Sequence, residues 1–455
     1  MATFQSIDPA SGDLLAQFSP WNDAEIERAL TQVEIAATAW RAHPLADRCA
    51  LLRKVAAVLR ARKQELARLI TAEMGKLRRE AEAEVEKCAL GCDYYAEHAS
   101  AFLADEQVAT EARRSIVSYQ PLGTVLAIMP WNFPFWQVFR FAAPALAAGN
   151  TAVLKHASNV PQCALAIEEV FQQAGFPAGV FRTFMVASEQ MVPIIADRRI
   201  HAVTLTGSEA AGRKVAAAAG AALKKCVLEL GGSDPFVVLD DADLGLAVTN
   251  AVTSRFLNAG QSCIAAKRFI VLDAVAESFV TRFREAVGKL VMGDPAEEQT
   301  SLAPLARADL RDEVHAQVQT SLQQGAKAVI GCRAREGAGW FYLPSILDHV
   351  RPGTTAFDEE LFGPVASVIR VADEEDAVRV ANATRFGLGA SVWTQNLERG
   401  ERFARRFEAG VCFVNGLVKS DPRMPFGGIK ASGFGRELAR VGMLEFVNTK
   451  SIWIA

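Results

Sequence analysis

Hydrophobic and polar residues follow two different patterns along the chain. In segments 23–42 and 46–106, apolar residues recur at helical spacing among Ala, Leu, Glu and Arg, which predicts amphipathic helices. Beyond residue 122, short apolar runs rich in β-branched residues alternate with helical stretches. This alternation is typical of an α/β fold in which a parallel sheet carries helices on both faces.

The alternating region divides into two groups of predicted strands. The first group lies at 123–129, 151–155, 180–186, 202–206 and 225–230, with helical patterns at 135–148, 160–174, 188–196 and 209–222. The second group lies at 235–239, 268–272, 328–330, 367–371, 390–393 and 411–415, with helical patterns near 242–258, 275–290, 307–324, 373–384 and 396–408. We therefore expect two α/β lobes that join near Gly231 and Gly232.

Two further segments are predicted as strands outside these lobes. Residues 113–120 alternate in polarity like an exposed strand or hairpin. Residues 446–454 form a strand pattern with no local partner, so we expect this strand to add to another lobe or to another subunit.

Composition excludes several classes of protein. Lys and Arg total 49 against 52 for Asp and Glu, so no basic field exists to bind nucleic acid. No apolar run reaches the ~18 residues of a membrane helix, and the first residues lack the features of a signal peptide. The eight cysteines include no C-x-x-C pair, which argues against a zinc site or a disulfide framework. We expect a reduced, cytoplasmic protein without membrane attachment.

Three short motifs carry residues suited to chemistry at a carbonyl group. Cys263 ends the run Asn-Ala-Gly-Gln-Ser-Cys, a turn that can present a thiol, although a buried structural cysteine is the alternative. Glu229 ends an apolar strand before two glycines, where a cleft carboxylate fits and a helix N-cap or a salt-bridged glutamate is the alternative. Asn132 lies between two prolines, in a turn that either offers an oxyanion donor or is simply rigid.

Other motifs are weaker when taken alone. The run Thr-Gly-Ser-Glu-Ala-Ala-Gly at 206–212 opens a helix after a strand, yet it is not the G-x-G-x-x-G dinucleotide fingerprint. The turns at 359–364 and 425–428 contain glycine beside an aromatic residue. None of the six histidines lies in a metal-ligand or Cys–His pattern, so no metal is expected.

The motifs in their order along the chain resemble the aldehyde dehydrogenase superfamily, over almost the whole length. They are PWNFP at 130–134, LK at 154–155, TGS at 206–208, ELGG at 229–232, GQSC at 260–263, EELFGP at 359–364 and PFGG at 425–428. The runs at 154–157, 221–236 and 263–269 are most similar to the short bacterial succinate-semialdehyde dehydrogenases.

The resemblance implies two doubly wound α/β domains plus a small oligomerisation β-hairpin. An NAD(P)-binding domain is implied for 1–102 and 122–231, and a catalytic domain for 232–431. The oligomerisation element is implied for 103–121 together with 447–455. A homodimer or homotetramer is the implied assembly.

The resemblance also implies roles for individual residues. Cys263 is the implied nucleophile, Asn132 and the Cys263 N–H are the implied oxyanion donors, and Glu229 is the implied base for water. The implied cofactor-binding residues are Trp131, Lys155, Ser158, Gly207, Ser208, Glu360 and Phe362. Ser158 stands where many members have Glu, and the loss of that negative charge predicts use of both NAD and NADP. Leu205 replaces the Phe that often precedes Thr-Gly-Ser.

The aldehyde itself is predicted from three positions. Arg140 and Ser420 occupy the places of two contacts to the substrate carboxylate, so succinate semialdehyde is expected; an Arg140 paired with a structural glutamate is the alternative. Leu257 replaces a polar residue that such enzymes carry six positions before the cysteine. With Phe135 and Trp136 it predicts a more apolar tunnel, which leaves medium-chain aliphatic or aromatic aldehydes as the alternative substrates.

Three rival classes differ from this prediction in the residues they need. A CoA-acylating relative would lack the base at the position of Glu229. A cofactor-free thiol hydrolase would need a histidine partner for Cys263. A non-catalytic relative would be expected to lose one of these two residues, and both are present.

Overall fold

The computed structural model of the chain describes residues 3–455. The strands are β1 (Phe4–Ile7), β2 (Leu14–Phe18), β3 (Glu106–Gln107), β4 (Arg114–Pro121), β5 (Thr124–Met129), β6 (Thr151–His156), β7 (Phe181–Thr183), β8 (Ala202–Thr206), β9 (Lys225–Glu229), β10 (Asp234–Val238), β11 (Ala266–Leu272), β12 (Lys327–Ile330), β13 (Ser345–Asp348), β14 (Val365–Val371), β15 (Gly389–Trp393), β16 (Val411–Val414), β17 (Gly433–Phe434) and β18 (Val447–Ile454). The α-helices are α1 (Asp23–Ala42), α2 (Leu45–Ala61), α3 (Lys63–Met74), α4 (Arg78–Phe102), α5 (Trp136–Ala147), α6 (Pro161–Gln173), α7 (Met191–Ala196), α8 (Glu209–Ala221), α9 (Leu244–Phe256), α10 (Asp273–Val287), α11 (Ala308–Gln323), α12 (Thr355–Asp358), α13 (Glu374–Asn382), α14 (Leu397–Arg406) and α15 (Ala439–Leu444).

The first predicted group of strands forms a six-stranded sheet. Its order is β17-β9-β8-β5-β6-β7, and every neighbouring pair is parallel except β17 with β9. Strands β5, β6 and β8 are almost continuously buried, as expected for apolar strands covered by helices on both faces. Because the strands are parallel, the residues that follow β5, β6, β8 and β9 meet at one edge of the sheet.

The second group forms a seven-stranded sheet in the order β12-β13-β14-β11-β10-β15-β16. All neighbouring pairs are parallel except β12 with β13. The predicted α/β fold is therefore confirmed. The exact domain boundaries, at 102, 121, 231 and 431, stay a prediction.

The last strand has a partner within its own chain. Residues Val447 to Ile454 of β18 pair antiparallel with Pro121 to Arg114 of β4, and β3 adds on the other side of β4. The segments 113–120 and 446–454, which read separately as exposed strands, thus belong to one three-stranded sheet. No second subunit is needed to complete this pairing, while the oligomerising role of the sheet stays a prediction.

Several elements differ from the sequence pattern. The helical segment 46–106 is three helices, because the chain turns at Arg62 and again at Gly75, whose φ of +78° ends α3 in the left-handed region. The pattern missed the hairpin of β1 and β2 and also β13, which is only four residues long. Short strands carry too few positions to show a period.

Two findings concern all residues that the structure describes. Among residues 3–455, no helix combines the length and apolarity needed to cross a bilayer. Within the same range, His, Cys, Asp and Glu side chains nowhere gather in threes as a metal would require.

Candidate active site

The turn before Cys263 is held in an unusual backbone conformation. Asn258, Ala259 and Gly260 follow α9 with φ values of 54°, 53° and 76°, a left-handed stretch that costs energy for residues with a Cβ. The buried Arg255 donates from Nη2 to the Gly260 carbonyl oxygen at 2.6 Å. A Cβ on Gly260 would lie 2.3 Å from the Gly363 carbonyl oxygen, so glycine is required there. Surrounding contacts thus impose the conformation that presents the thiol.

The loop that carries Asn132 is locked to this turn. Asn132 follows β5 and donates from Nδ2 to the Gln261 carbonyl oxygen at 3.1 Å. Its own carbonyl oxygen accepts from Asn258 Nδ2 at 2.8 Å and from Lys76 Nζ at 2.9 Å. The second N–H of the Asn132 amide remains available for a ligand oxygen. An amide donor and a thiol therefore stand on two loops with a fixed relative position.

Gly231 and Gly232 allow the Glu360 carboxylate and the Cys263 turn to approach the end of β9. A Cβ on Gly231 would lie 2.2 Å from Glu360 Oε2, and one on Gly232 would lie 2.7 Å from the Cys263 carbonyl oxygen. The Gly232 N–H donates to Glu360 Oε1 at 3.1 Å. The double glycine after β9 is therefore required because no larger residue would let Glu360 and the Cys263 turn approach the strand so closely.

Glu229 is a buried carboxylate at the end of β9, only 2% exposed. Neither carboxylate oxygen has a hydrogen-bond partner within residues 3–455. Burial, and then the negative charge of Glu437, raise the pKa of Glu229 well above its usual range, against the opposing charges of Arg140 and Arg436. A carboxylate in such surroundings is a stronger base than one in water.

The thiol of Cys263 lies in a half-buried position at the junction of these loops. Burial raises the pKa of Cys263 to about 12, and the positive charges of Lys267 and Arg140 oppose this rise. The thiolate is the reactive form of any cysteine, so nearby cations favour reactivity in a buried thiol.

The predicted dinucleotide residues lie along one edge of the six-stranded sheet. Lys155 and Ser158 belong to the end of β6 and the turn after it, and Gly207 and Ser208 follow β8. Ser208 caps α8 through a bond from the Ala211 N–H to its Oγ at 3.3 Å. A helix N-terminus and a lysine at adjoining strand ends suit a pyrophosphate and a ribose. These residues fit a nicotinamide dinucleotide.

The aromatic residues predicted beside the nicotinamide contact each other. The rings of Trp131 and Phe362 meet edge to face, with centroids 5.9 Å apart. The buried His156 fixes the adjoining loop, because Nδ1 accepts from the Ala157 N–H and Nε2 donates to the Pro134 carbonyl oxygen. Burial lowers the pKa of His156 to about 4, so its imidazole is uncharged and holds the loop through these two hydrogen bonds.

A model of the aldehyde dehydrogenase family matches residues 1–452. The chain belongs to this family. It is 52% identical over 450 residues to a Synechocystis aldehyde dehydrogenase named Probable succinate-semialdehyde dehydrogenase (NADP+), covering 99% of each chain. It is 49% identical to the succinate semialdehyde dehydrogenase (NAD(P)+) Sad of Escherichia coli, covering 98% of this chain and 97% of that one.

A solved structure gives the same result for the fold of this aldehyde dehydrogenase. The crystal structure of succinic semialdehyde dehydrogenase from Streptococcus pyogenes, in complex with NADP+, superposes with a TM-score of 0.97. The two sequences are 38% identical, and the match covers 99% of each chain. The resemblance inferred from the motifs is therefore confirmed at the level of the family.

Arg140 of this family member has a protein carboxylate as its partner. Its guanidinium forms an ion pair with Glu437, and both side chains are almost fully buried. Arg140 also donates from Nη2 to Thr206 Oγ1 at 3.3 Å and stacks over the Phe426 ring. This is the arrangement that the sequence left open as the alternative to substrate binding. A substrate carboxylate would have to compete with Glu437 for the guanidinium.

The other two predicted substrate residues lie in different surroundings. Ser420 is buried, and its Oγ accepts from Lys87 Nζ at 2.8 Å and from Trp136 Nε1 at 3.0 Å. Leu257 is 41% exposed, whereas Phe135 is fully buried and stacks on Phe139 in the core. Of the three expected tunnel residues, Phe135 is contradicted, because its side chain packs inward from the start of α5, whereas Leu257 and Trp136 stay predictions.

Sequence reasoning missed three charged residues that contact the predicted site. They are Lys87, Lys267 and Glu437. Lys267 lies four residues after Cys263, and this short separation is the only feature of the sequence that could have placed it near the predicted site. Lys87 lies on a long helix among many charges, and Glu437 lies in a loop near the C-terminus. Neither position differs in pattern from an ordinary surface charge.

Proposed function

We propose that this family member oxidises succinate semialdehyde to succinate, with NAD or NADP, through a thioester on Cys263. The observation that carries the reaction type is the convergence of the Cys263 turn with the Asn132 loop and the double glycine that follows Glu229. Relatives with succinate-semialdehyde names at 52% and 49% identity, over nearly the full length, support the substrate.

Acylation begins at the sulfur of Cys263. The thiolate attacks the aldehyde carbon, and the carbonyl oxygen becomes an oxyanion as the C–S bond forms. The second Asn132 N–H and the Cys263 backbone N–H receive this oxyanion, each worth roughly 3 kcal/mol in comparable sites. Both donors are preorganised, because hydrogen bonds to Gln261 and Asn258 fix their loops before substrate arrives.

The cofactor residues have separate tasks. Lys155 and Ser158 would hold the adenosine ribose, Gly207 and Ser208 the pyrophosphate, and Glu360 the nicotinamide ribose. Trp131 and Phe362 would flank the nicotinamide ring. The oxidised nicotinamide, when bound, would supply the hydride acceptor, and loss of a hydride from the adduct on Cys263 would leave a thioester.

Deacylation needs the base at Glu229. Its carboxylate takes a proton from a water molecule, the water oxygen attacks the thioester carbon, and the C–S bond breaks to release the acid and the Cys263 thiolate. Burial beside Glu437 strengthens this base. Arg140 pairs with Glu437, and its positive charge offsets the negative charge of the two buried carboxylates.

Both dinucleotides suit the end of β6. Position 158 carries a neutral, exposed Ser158, so no carboxylate at this position repels a 2′-phosphate. Lys155 is half-buried nearby, and burial lowers its pKa while the charge of Glu189 opposes this effect. We propose that NAD and NADP are both used.

Lys87 is the residue we propose for recognition of the substrate carboxylate, together with Ser420. Its ammonium contacts Ser420 Oγ and lies 4.4 Å from the centroid of the Trp136 ring. Within residues 3–455 no carboxylate approaches it to ion-pairing distance, whereas Arg140 already has Glu437. An unpaired, half-buried cation beside a hydroxyl suits an incoming carboxylate.

The pH dependence of recognition follows from Lys87. Burial, then the charge of Arg140, lower its pKa to about 8, against Cys88, Glu84 and Asp421. As pH rises through this value, Lys87 loses its charge, so the KM for succinate semialdehyde should rise relative to that for hexanal. The Lys87→Met variant should raise the succinate semialdehyde KM roughly tenfold at neutral pH and abolish the pH dependence of this ratio.

The Lys87→Arg variant is the matched control, because it keeps the charge when pH rises. It should retain a low KM for succinate semialdehyde at high pH. Equal KM changes for both aldehydes in Lys87→Met, which leave the KM ratio unchanged, would contradict the role of Lys87 and leave Arg140 as the candidate for carboxylate recognition.

The experiment that tests the function is a set of initial rates with NAD and NADP. The aldehydes are succinate semialdehyde, glutarate semialdehyde, hexanal and benzaldehyde, and the readout is absorbance of the reduced nicotinamide. We expect the highest kcat/KM for succinate semialdehyde. A preference for hexanal or benzaldehyde would overturn the substrate but not the chemistry, and no reduced nicotinamide with any aldehyde would overturn both.

We also propose that the chain assembles as a homodimer or homotetramer through the three-stranded sheet. Strand β18 lies at the edge of this sheet, and its Trp453 side chain is 55% exposed. An unpaired strand edge with exposed apolar residues suits pairing with a second copy of the chain.

A further inference from the structure

Lys267 is a buried cation that contacts both the nucleophile turn and the predicted ribose-binding carboxylate. It is the second residue of β11 and is 1% exposed. Its Nζ donates to the carbonyl oxygens of Ser262 at 2.9 Å and Cys263 at 2.8 Å, and lies 3.2 Å from Glu360 Oε1. One ammonium group thus uses its three donors on three groups, two of which are carbonyl groups of the turn that carries the Cys263 thiol.

The contact with Ser262 has a particular electronic consequence. The carbonyl group of Ser262 and the N–H group of Cys263 belong to the same peptide unit. When an ammonium donates to the carbonyl oxygen, it polarises that unit and makes the N–H a stronger donor, since hydrogen bonds in a chain reinforce one another. The N–H strengthened in this way is the one that would receive the oxyanion.

The charge of Lys267 also acts on the thiol. Burial raises the pKa of Cys263, Lys267 is the largest influence that lowers it, and Arg140 adds to that effect. The carboxylates of Glu360 and Asp234 act in the opposite direction. Removing the ammonium therefore leaves the thiol among carboxylates with one cation fewer, and the thiolate becomes harder to form.

We propose that Lys267 is a positioning residue that strengthens the Cys263 N–H as an oxyanion donor and favours the thiolate of Cys263. The inference rests on the proposed function, because it assigns Lys267 a task only if Cys263 is the nucleophile. A purely structural lysine would hold the turn without changing the reactivity of the thiol, and this difference is measurable.

The test compares thiol reactivity in the cofactor-free protein. Alkylation of Cys263 by iodoacetamide is followed by peptide mass mapping at several pH values. In Lys267→Met we expect the rate at a given pH to fall about tenfold, because one unit of thiol pKa is a tenfold change in thiolate. We expect kcat for the aldehyde to fall at least as much, because the N–H donor is weakened as well.

Two further variants keep the test decisive if Lys267→Met does not fold. Lys267→Gln retains a donor for the carbonyl oxygens but lacks the charge, and should show the same loss of alkylation rate. Lys267→Arg retains the charge and should restore it. The matched control is Lys224→Met, because Lys224 also donates to two backbone carbonyl groups, those of Ile195 and Asp197, away from the site.

The outcomes separate this inference from the proposed function. A folded Lys267→Met or Lys267→Gln variant with the alkylation profile and kcat of the wild type would overturn the role of Lys267. Absence of reduced nicotinamide from the wild type with every aldehyde would instead overturn the proposed function. The alkylation rates need no turnover, so they report on Lys267 in either case.

Discussion

Replacing Cys263 with alanine should lower kcat/KM for every aldehyde by roughly 10⁴-fold or more, the scale typical of losing the nucleophile in covalent catalysis. The oxyanion donors and the cofactor residues remain in Cys263→Ala, but no sulfur is present to form the thioester. The measurement is the initial rate of nicotinamide reduction at saturating cofactor.

The control for this variant is Cys412→Ala. Cys412 is half-buried on β16 and is also a free thiol, so it tests for a general effect of losing a cysteine. We expect Cys412→Ala to keep nearly the wild-type rate. Substantial turnover by Cys263→Ala, with unchanged folding, would show that the thiol is not the nucleophile.

Replacing Glu229 with glutamine should block the second half of the reaction and spare the first. Without the carboxylate the attacking water keeps its proton, so we expect kcat to fall roughly 10²- to 10⁴-fold, the range for removing a general base. A single burst of reduced nicotinamide should appear, and intact mass should show the acyl group on Cys263. Because the pKa of Glu229 is raised, deacylation by the wild type should accelerate with pH above the usual carboxylate range.

A second buried carboxylate serves as the control for Glu229→Gln. Glu168 accepts from the Thr183 N–H at 2.8 Å in the other part of the six-stranded sheet, so Glu168→Gln alters a buried carboxylate without touching the site. It should retain turnover and accumulate no adduct. If Glu229→Gln turned over like the wild type and carried no acyl group, another residue would have to activate water.

The candidate residues that sequence identified share one property. Asn132 and Cys263 lie in turns that follow a strand or a helix, Glu229 is the last residue of β9, and each has Gly or Pro within a few positions. Such positions can be recognised from sequence, because glycine and proline mark places where the backbone bends or approaches another segment closely. The roles of these residues stay predictions, whereas the family and the α/β fold are confirmed.

The contacts that sequence did not predict depend on residues far apart in the chain. The ion pair of Arg140 with Glu437 and the contact of Lys87 with Ser420 each join segments separated by most of the chain. A charged residue carries no local pattern that names its partner. Phe135 illustrates the same limit, because its place beside Asn132 suggested a tunnel wall while its side chain packs on Phe139.

The pairing of β18 with β4 has a consequence for how the protein is made. The ribosome synthesises β4 and Arg140 long before their partners, because β18 and Glu437 lie far downstream of them in the sequence. Until they emerge, Arg140 lacks its counter-ion and one edge of β4 stays open, which exposes the nascent chain to mispairing. The region around Arg140 therefore cannot be completed before residues 437–454 have been synthesised, and a chain cut before Glu437 should lack both the ion pair and the β4–β18 pairing.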